Sequence, residues 1–167
     1  MKPEEVIIYQ LVSKHLTLAT AESCTGGLIS HRLTNVSGSS AVFVGGVIAY
    51  SNEVKKSLLG VSESSLTEYG AVSNPVALEM ATGVCKRLNS DIGVGVTGIA
   101  GPTGGTPEKP VGLVYISVVC LPYNMHVVRE CQFHGTRSEI KQQTSDFALE
   151  LLLEILNNIK GRRDIHE

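Results

Sequence analysis

The run LVYISVVCLPYNMHVVRECQF, residues 113–133, holds two β-rich segments on either side of Leu121-Pro122-Tyr123-Asn124. Valine, isoleucine and tyrosine suit a pleated, half-buried surface, and a short turn between two such segments makes an antiparallel pair. Upstream the pattern changes. TLATA (17–21) is β-like and precedes a helical LISHRLTNV (28–36), and VFVGGVIAY (42–50) precedes NEVKKSLL behind the capping residue Ser51. DIGVGVTG (91–98) follows a helix that Asn74-Pro75 opens and that runs to about Leu88, with proline in its natural first turn. Strands alternating with helices build a sheet covered by helices, and the late hairpin adds antiparallel strands. The expectation is an α/β layered domain with a mixed β-sheet.

Residues 3–16 read as a first helix, with Pro3, Glu4 and Glu5 at its N-terminal end and Val6, Ile7, Leu11 and Val12 as its buried stripe. VFVGGVIAY is expected to be a buried strand, and SESSLTEYG a short helix ending at Gly70. Thr136-Arg137-Ser138-Glu139 fits a capping box that opens a last helix reaching about Ile159. No repeat or linker divides the chain, so residues 1–160 are expected to form one domain and 161–167 a solvated tail beside the basic cluster Lys160, Arg162 and Arg163.

A hydrophobic content of 43% with 18% charged residues describes a folded globular protein, and a net charge of -2 predicts no general attraction to nucleic acid or to an anionic membrane. No apolar window is long enough to span a bilayer and no leader is evident. Cys24, Cys85, Cys120 and Cys131 show neither C-x-x-C nor histidine-paired spacing, which favours reduced thiols, a cytoplasmic protein and no metal site.

Two glycine patterns mislead. Gly93-x-Gly95-x-x-Gly98 satisfies the dinucleotide expression, but its glycines lie within a strand instead of at a helix entrance. The loop 99–112, IAGPTGGTPEKPVG, lacks the Gly-Lys-Ser/Thr ending of a phosphate loop. Its unencumbered N–H groups, at the end of a strand, still suit an anion or a developing oxyanion. AESCTGG (21–27) admits three readings on its residues alone: a nucleophile at a tight turn, an anion cradle, or a helix cap. None of the five histidines is placed as an obvious base for Ser23. Lys55 is a candidate, because the positive end of a helix and burial both depress a lysine pKa, and serine–lysine pairs are an accepted variant of the nucleophile–base arrangement.

Five stretches in this order, TLATAESCTGGLIS, GGVIAYSNEVKKSLLGV, YGAVSNPVALEMATGV, VGVTGIAGPTGGTPEKPVGLVYISV and FHGTRSEIK, closely resemble the CinA C-terminal domain family. The likeness runs from about residue 5 to about residue 157, and it is closest to the stand-alone (PncC-type) nicotinamide mononucleotide deamidases, without the extra N-terminal domain of full-length CinA proteins. The resemblance implies a three-layer α/β/α sandwich, a homodimer, no cofactor, and hydrolysis of the carboxamide of nicotinamide mononucleotide (NMN) to nicotinic acid mononucleotide and ammonia. It places the nucleophile at Ser23, the base at Lys55 and an assisting tyrosine at Tyr50. The substrate loop falls on Thr97, Gly98, Gly101 and Gly104, and the phosphate-binding arginine on Arg137. Backbone N–H groups of Cys24, Thr25, Gly26 and Gly27, or of 98–101, are the expected oxyanion donors. Cys24 stands as the rival nucleophile, and a non-catalytic pyridine-nucleotide-binding or competence-associated partner module as the rival function.

Overall fold

The computed structural model describes residues 1–159; the expected tail lies outside them. In chain order the elements are α1 (Pro3–Lys14), β1 (Leu18–Glu22), α2 (Leu28–Thr34), β2 (Phe43–Ile48), α3 (Asn52–Leu59), α4 (Glu63–Tyr69) and α5 (Asn74–Leu88). Then come β3 (Ile92–Gly98), β4 (Leu113–Cys120), β5 (Met125–Gln132) and α6 (Arg137–Asn157). The five strands form one mixed sheet in the order β2-β1-β3-β4-β5. β1 is parallel to both β2 and β3, while β3–β4 and β4–β5 are antiparallel. The expected hairpin is β4–β5, in register from Leu113↔Gln132 to Cys120↔Met125, with Asn124 left-handed at the turn (φ 51°). β3–β4 is a second antiparallel pair, which makes the long glycine loop a hairpin connection as well.

Strand alternation sorts the two faces. Leu18, Val94, Val96, Val114, Ile116 and Val118 pack with Ile7, Leu11, Ile29, Leu149 and Leu152 in one core, between the sheet and the layer of α1, α2 and α6. The opposite face presents small residues, Ala19, Ala21, Gly93 and Gly95, and α5 lies directly upon it. A Cβ at Gly93 would sit 2.2 Å from the Ala81 carbonyl oxygen, and one at Gly95 2.5 Å from that of Ala77. The glycines that imitate a dinucleotide fingerprint therefore serve close helix–strand packing. Helices on both faces complete the three-layer α/β/α sandwich.

Two expectations need correction. β2 is an edge strand, not a buried one: Val44 and Ile48 are 48% and 55% exposed. β1 takes the inner position because its alanines admit α5, whereas β2 pairs on one side only. In α1 the buried stripe is Ile7, Ile8 and Leu11, and Val12 is 47% exposed. Among the described residues no helix is long and apolar enough to cross a membrane, and all four cysteines are reduced and buried.

Candidate active site

β1, β2 and β3 are parallel, so their C-terminal ends share one edge of the sheet, where open α/β sheets place their crevices. Ser23 follows β1, Tyr50 follows β2, and the glycine loop follows β3. β5 runs in the same sense as β3, which brings Arg137, the first residue of α6, to that edge too.

The AESCTGG turn is held from beneath by Glu22. Its carboxylate is 1% exposed. One oxygen accepts from Thr25 Oγ1 at 2.7 Å and Ile29 N at 2.9 Å; the other accepts from Ser30 N at 3.0 Å and Ser30 Oγ at 2.6 Å. Gly27, the N-cap of α2, has no side chain to satisfy the first-turn donors, and Glu22 does this in its place. Gly26 and Gly27 are left-handed, with φ 61° and 103°, which turns the chain sharply enough to leave Ser23 at the strand end. The Ser23 N–H continues the β1–β3 ladder by donating to the Val96 carbonyl at 3.0 Å. Its hydroxyl is thereby fixed toward α3.

Ser51 caps α3 by accepting from Val54 N at 3.2 Å. The next residue, Lys55, turns inward and is 2% exposed. Its Nζ lies 3.1 Å from Ser23 Oγ, 3.0 Å from the Ala49 carbonyl oxygen and 3.3 Å from that of Tyr50. Burial lowers the pKa of this amine, opposed in part by Cys24. A neutral amine has two N–H groups and one lone pair. In that form the two carbonyls would take the N–H groups and the lone pair would face the Ser23 hydroxyl proton, whereas the ammonium donates to Ser23 Oγ. Lys56, by contrast, faces outward between Glu53 and Glu63, 3.8 Å from each.

Cys24 is as buried as Ser23 (6% against 7% exposed). Its thiol is pushed up to about 12, first by burial, with Glu22 acting in the same direction. At neutral pH it is a thiol, and thiols are poor nucleophiles.

Above the pair opens a cavity of about 240 Å³. Ser23 and Cys24 line it from the turn after β1, Gly98 from the end of β3 and Gly101 and Gly104 from the loop, with Tyr50 and Arg137 completing it. Arg137 Nη1 donates to the Gly101 carbonyl at 2.7 Å, and Nη2 donates to the Tyr50 hydroxyl at 2.9 Å. The Tyr50 ring thus leans to Arg137, and it is the Tyr50 carbonyl, not the hydroxyl, that meets Lys55. Thr97 is not in the cavity: its hydroxyl donates to the Ala71 carbonyl at 2.9 Å and ties β3 to the segment before α5. Thr25 is spent on Glu22, and Gly26 and Gly27 shape the turn without lining the cavity. The N–H groups of Cys24, Ala100 and Gly101 have no main-chain acceptor among the described residues, which leaves them available to an oxyanion. A wider groove of about 630 Å³ between α3 and α5 contains neither Ser23 nor Lys55, so chemistry, not size, picks the site.

Sequence reasoning missed Thr103, which lines the cavity, and the role of Glu22. The signal for Glu22 was present: a carboxylate at a strand end just before a helix whose N-cap is glycine.

The fold and site define an α/β/α domain with a buried serine–lysine pair at the C-terminal edge of its parallel strands. The model of the CinA C-terminal domain family matches residues 1–156, and the chain belongs to that family. It is 48% identical over 153 residues to a CinA-like protein of Kosmotoga olearia, covering 92% of this chain and 37% of that protein. It is 51% identical over 158 residues to a putative competence-damage inducible protein of Thermoanaerobacter pseudethanolicus, covering 94% and 38%. The chain thus spans less than two-fifths of the length of these curated relatives. Among solved structures, the competence/damage inducible protein CihA of Agrobacterium tumefaciens superposes with TM-score 0.86 at 41% identity, covering 94% of this chain and 97% of that one. A CinA superfamily protein of Escherichia coli superposes with TM-score 0.88 at 31% identity, covering 92% and 88%.

Proposed function

We propose that this domain is a serine–lysine amidohydrolase that converts NMN to nicotinic acid mononucleotide and ammonia. The observation that carries the reading is the 3.1 Å approach of buried Lys55 Nζ to Ser23 Oγ, with Ser23 lining an open cavity. Neutral Lys55 takes the Ser23 proton as Oγ adds to the amide carbon. The N–H groups of Cys24 and of Ala100 or Gly101 receive the oxyanion. Collapse breaks the C–N bond, and the lysine proton goes to the departing amine, which leaves as ammonia. Water, deprotonated by the same lysine, then hydrolyses the nicotinoyl ester and restores Ser23. Tyr50 contributes the carbonyl that orients Nζ and a ring that walls the cavity beside Arg137.

The test is ammonia release from NMN by the purified domain, with Ser23→Ala and Lys55→Met as partners. Release by the native protein and its loss in both variants supports the reading. Binding of NMN with no ammonia formed overturns it in favour of a pyridine-nucleotide-binding module. Homodimerisation, suggested by the resemblance, is checked by light scattering of the same sample.

A further inference from the structure

The loop 99–112 carries the free N–H groups of Ala100 and Gly101 together with Thr103, so its position over Ser23 decides where those donors point. Its base is zipped: Gly112 N donates to the Ile99 carbonyl at 2.7 Å, and Ile99 N to that of Leu113 at 3.0 Å. Residues 102–108 beyond it are all exposed. Exposed backbone of this kind opens locally at small cost unless something ties it down. Lys109 is the next residue, and it is half-buried. Thr106 N donates to the Lys109 carbonyl at 2.8 Å, and Lys109 N donates back to Thr106 Oγ1 at 3.0 Å. This turn, stiffened by Pro107 and Pro110, aims the lysine at the C-terminal end of α4.

There Lys109 Nζ donates to the Tyr69 carbonyl. The last carbonyls of a helix lack intrahelical partners and form the negative end of its dipole, so an ammonium suits them. Gly70 makes the approach possible, for a Cβ at that position would lie 2.9 Å from Nζ. The contact is one of three in a row. The carbonyls of Tyr69, Gly70 and Ala71 accept in turn from Lys109, from Ser73 Oγ at 2.8 Å and from Thr97 Oγ1 at 2.9 Å. Thr97 stands before the loop and Lys109 near its end, so the segment joining α4 to α5 is stitched to both arms of the glycine hairpin. The same segment communicates with the base. Val61 N donates to the Lys55 carbonyl at 3.1 Å, and Lys56 Nζ lies 3.8 Å from Glu63, which joins α3 to α4. A run of short contacts thus leads from the helix carrying Lys55 to the loop carrying the oxyanion donors.

We propose that Lys109 is a positioning residue for the reaction: its clasp on the Tyr69 carbonyl holds the glycine loop over Ser23, so that the Ala100 and Gly101 N–H groups are set before the oxyanion forms. This rests on the amidohydrolase reading. Lys109 does not line the cavity and acts only through the loop. Oxyanion donors matter most in the transition state, so loss of the clasp should appear in kcat and not in KM.

The experiment compares native protein, Lys109→Met and Lys109→Arg in two measurements. The first is deuterium exchange of the segment 99–112, whose bonded amides include those of Ile99, Thr106 and Gly112, with α6 as the internal reference. The second is ammonia release from NMN. Expected for Lys109→Met is loop exchange faster by about tenfold with α6 unchanged, and kcat lowered about tenfold with KM altered by less than about twofold. Lys109→Arg keeps a donor on a long stem and should recover most of both. Unchanged loop exchange in Lys109→Met overturns the clasp, whatever the turnover. Faster loop exchange with native kcat, or with a change confined to KM, overturns the positioning role while the amidohydrolase reading stands. Equal loosening of the loop and of α6 marks a general loss of stability and also overturns it. Faster loop exchange in a protein whose native form releases no ammonia removes the amidohydrolase, and the positioning role with it, leaving a structural clasp.

Discussion

Replacing Lys55 by methionine separates the energetic cost of burying an amine from its use. Lys55 is 2% exposed, and burial lowers its pKa. In the unfolded chain a lysine titrates near about 10.4. Between the lowered folded value and that figure, the unfolded chain holds a proton that the folded chain has released. Stability therefore rises with pH across this window, by about 1.4 kcal/mol per pH unit for one proton. Above the window the penalty is gone; below the folded pKa it is constant and largest. Lys55→Met has no such proton and no such slope. The variant leaves the Ala49 and Tyr50 carbonyls without Nζ, which costs about 1–3 kcal/mol, but that offset does not vary with pH.

Other groups shift the opposite way. Cys24 is raised to about 12, Cys85 and Cys131 to about 11, and Tyr115 to about 12, so each stabilises below its ordinary pKa and loses that contribution as pH rises. Native and variant share all four, so they largely cancel in a difference. The assay is guanidinium unfolding of both proteins at intervals from about pH 6 to about pH 10, plotted as native minus variant. The expected difference climbs toward the alkaline end with a slope of up to about 1.4 kcal/mol per unit. The foot of the climb should coincide with the acid limb of native kcat/KM, because one deprotonation governs both. A flat difference over the whole range would refute the reasoning, since it would mean that Lys55 remains an ammonium and cannot act as a base. Turnover in Lys55→Met should fall by at least about 10²-fold.

Cys24→Ala is expected to retain most of the proposed deamidase activity, and native Cys24 to resist iodoacetamide until the protein is unfolded; rapid native alkylation with loss of turnover would reverse the assignment. Glu22→Gln puts an amide NH₂ against donors now satisfied by a carboxylate oxygen, and should cost about 2–3 kcal/mol, read as a Tm lower by about 5–10 °C. Gly93→Ala forces a methyl against the Ala81 carbonyl and should cost about 3 kcal/mol or more in denaturant unfolding, with α5 pushed off the sheet; an unchanged midpoint would mean that α5 does not sit so close.

Much of the fold was legible because its signals are local. Ser51, Ser62, Ser73 and Thr136 each precede a helix and each accepts a first-turn N–H, as such residues do wherever they stand. The mixed sheet followed from one hairpin after several strand–helix alternations. What composition does not encode is lateral order. VFVGGVIAY is apolar enough for a central strand, yet β1 holds the inner place because Ala19 and Ala21 let α5 approach. At the site, Ser23, Tyr50 and Arg137 line one cavity and Lys55 meets Ser23 outside its lining, although the hydroxyl of Tyr50 faces Arg137 and not the amine. Thr97 entered the substrate loop only through the family resemblance, and its hydroxyl is instead committed to the Ala71 carbonyl.

Ser23 and Cys24 pose the sharpest contrast, since adjacent residues with equal exposure would ordinarily leave the thiol the better nucleophile. Charge attraction between Cys24 and Lys55 favours a thiolate–ammonium pair, yet for both groups burial is the larger influence and disfavours the charged form. Glu22 adds a negative charge close beneath, which raises the thiol pKa further and makes a second anion there costly. Of the thiol and the hydroxyl beside this amine, only the hydroxyl lies on it, at 3.1 Å. A module that bound nucleotide without turnover would have no use for an amine buried at such cost. Ser23→Ala makes this concrete: it leaves Cys24 and Lys55 in place, and the thiol should not take over. Residual turnover that disappears only when Cys24 is replaced as well would show that attraction, not burial, decides the charge of this pair.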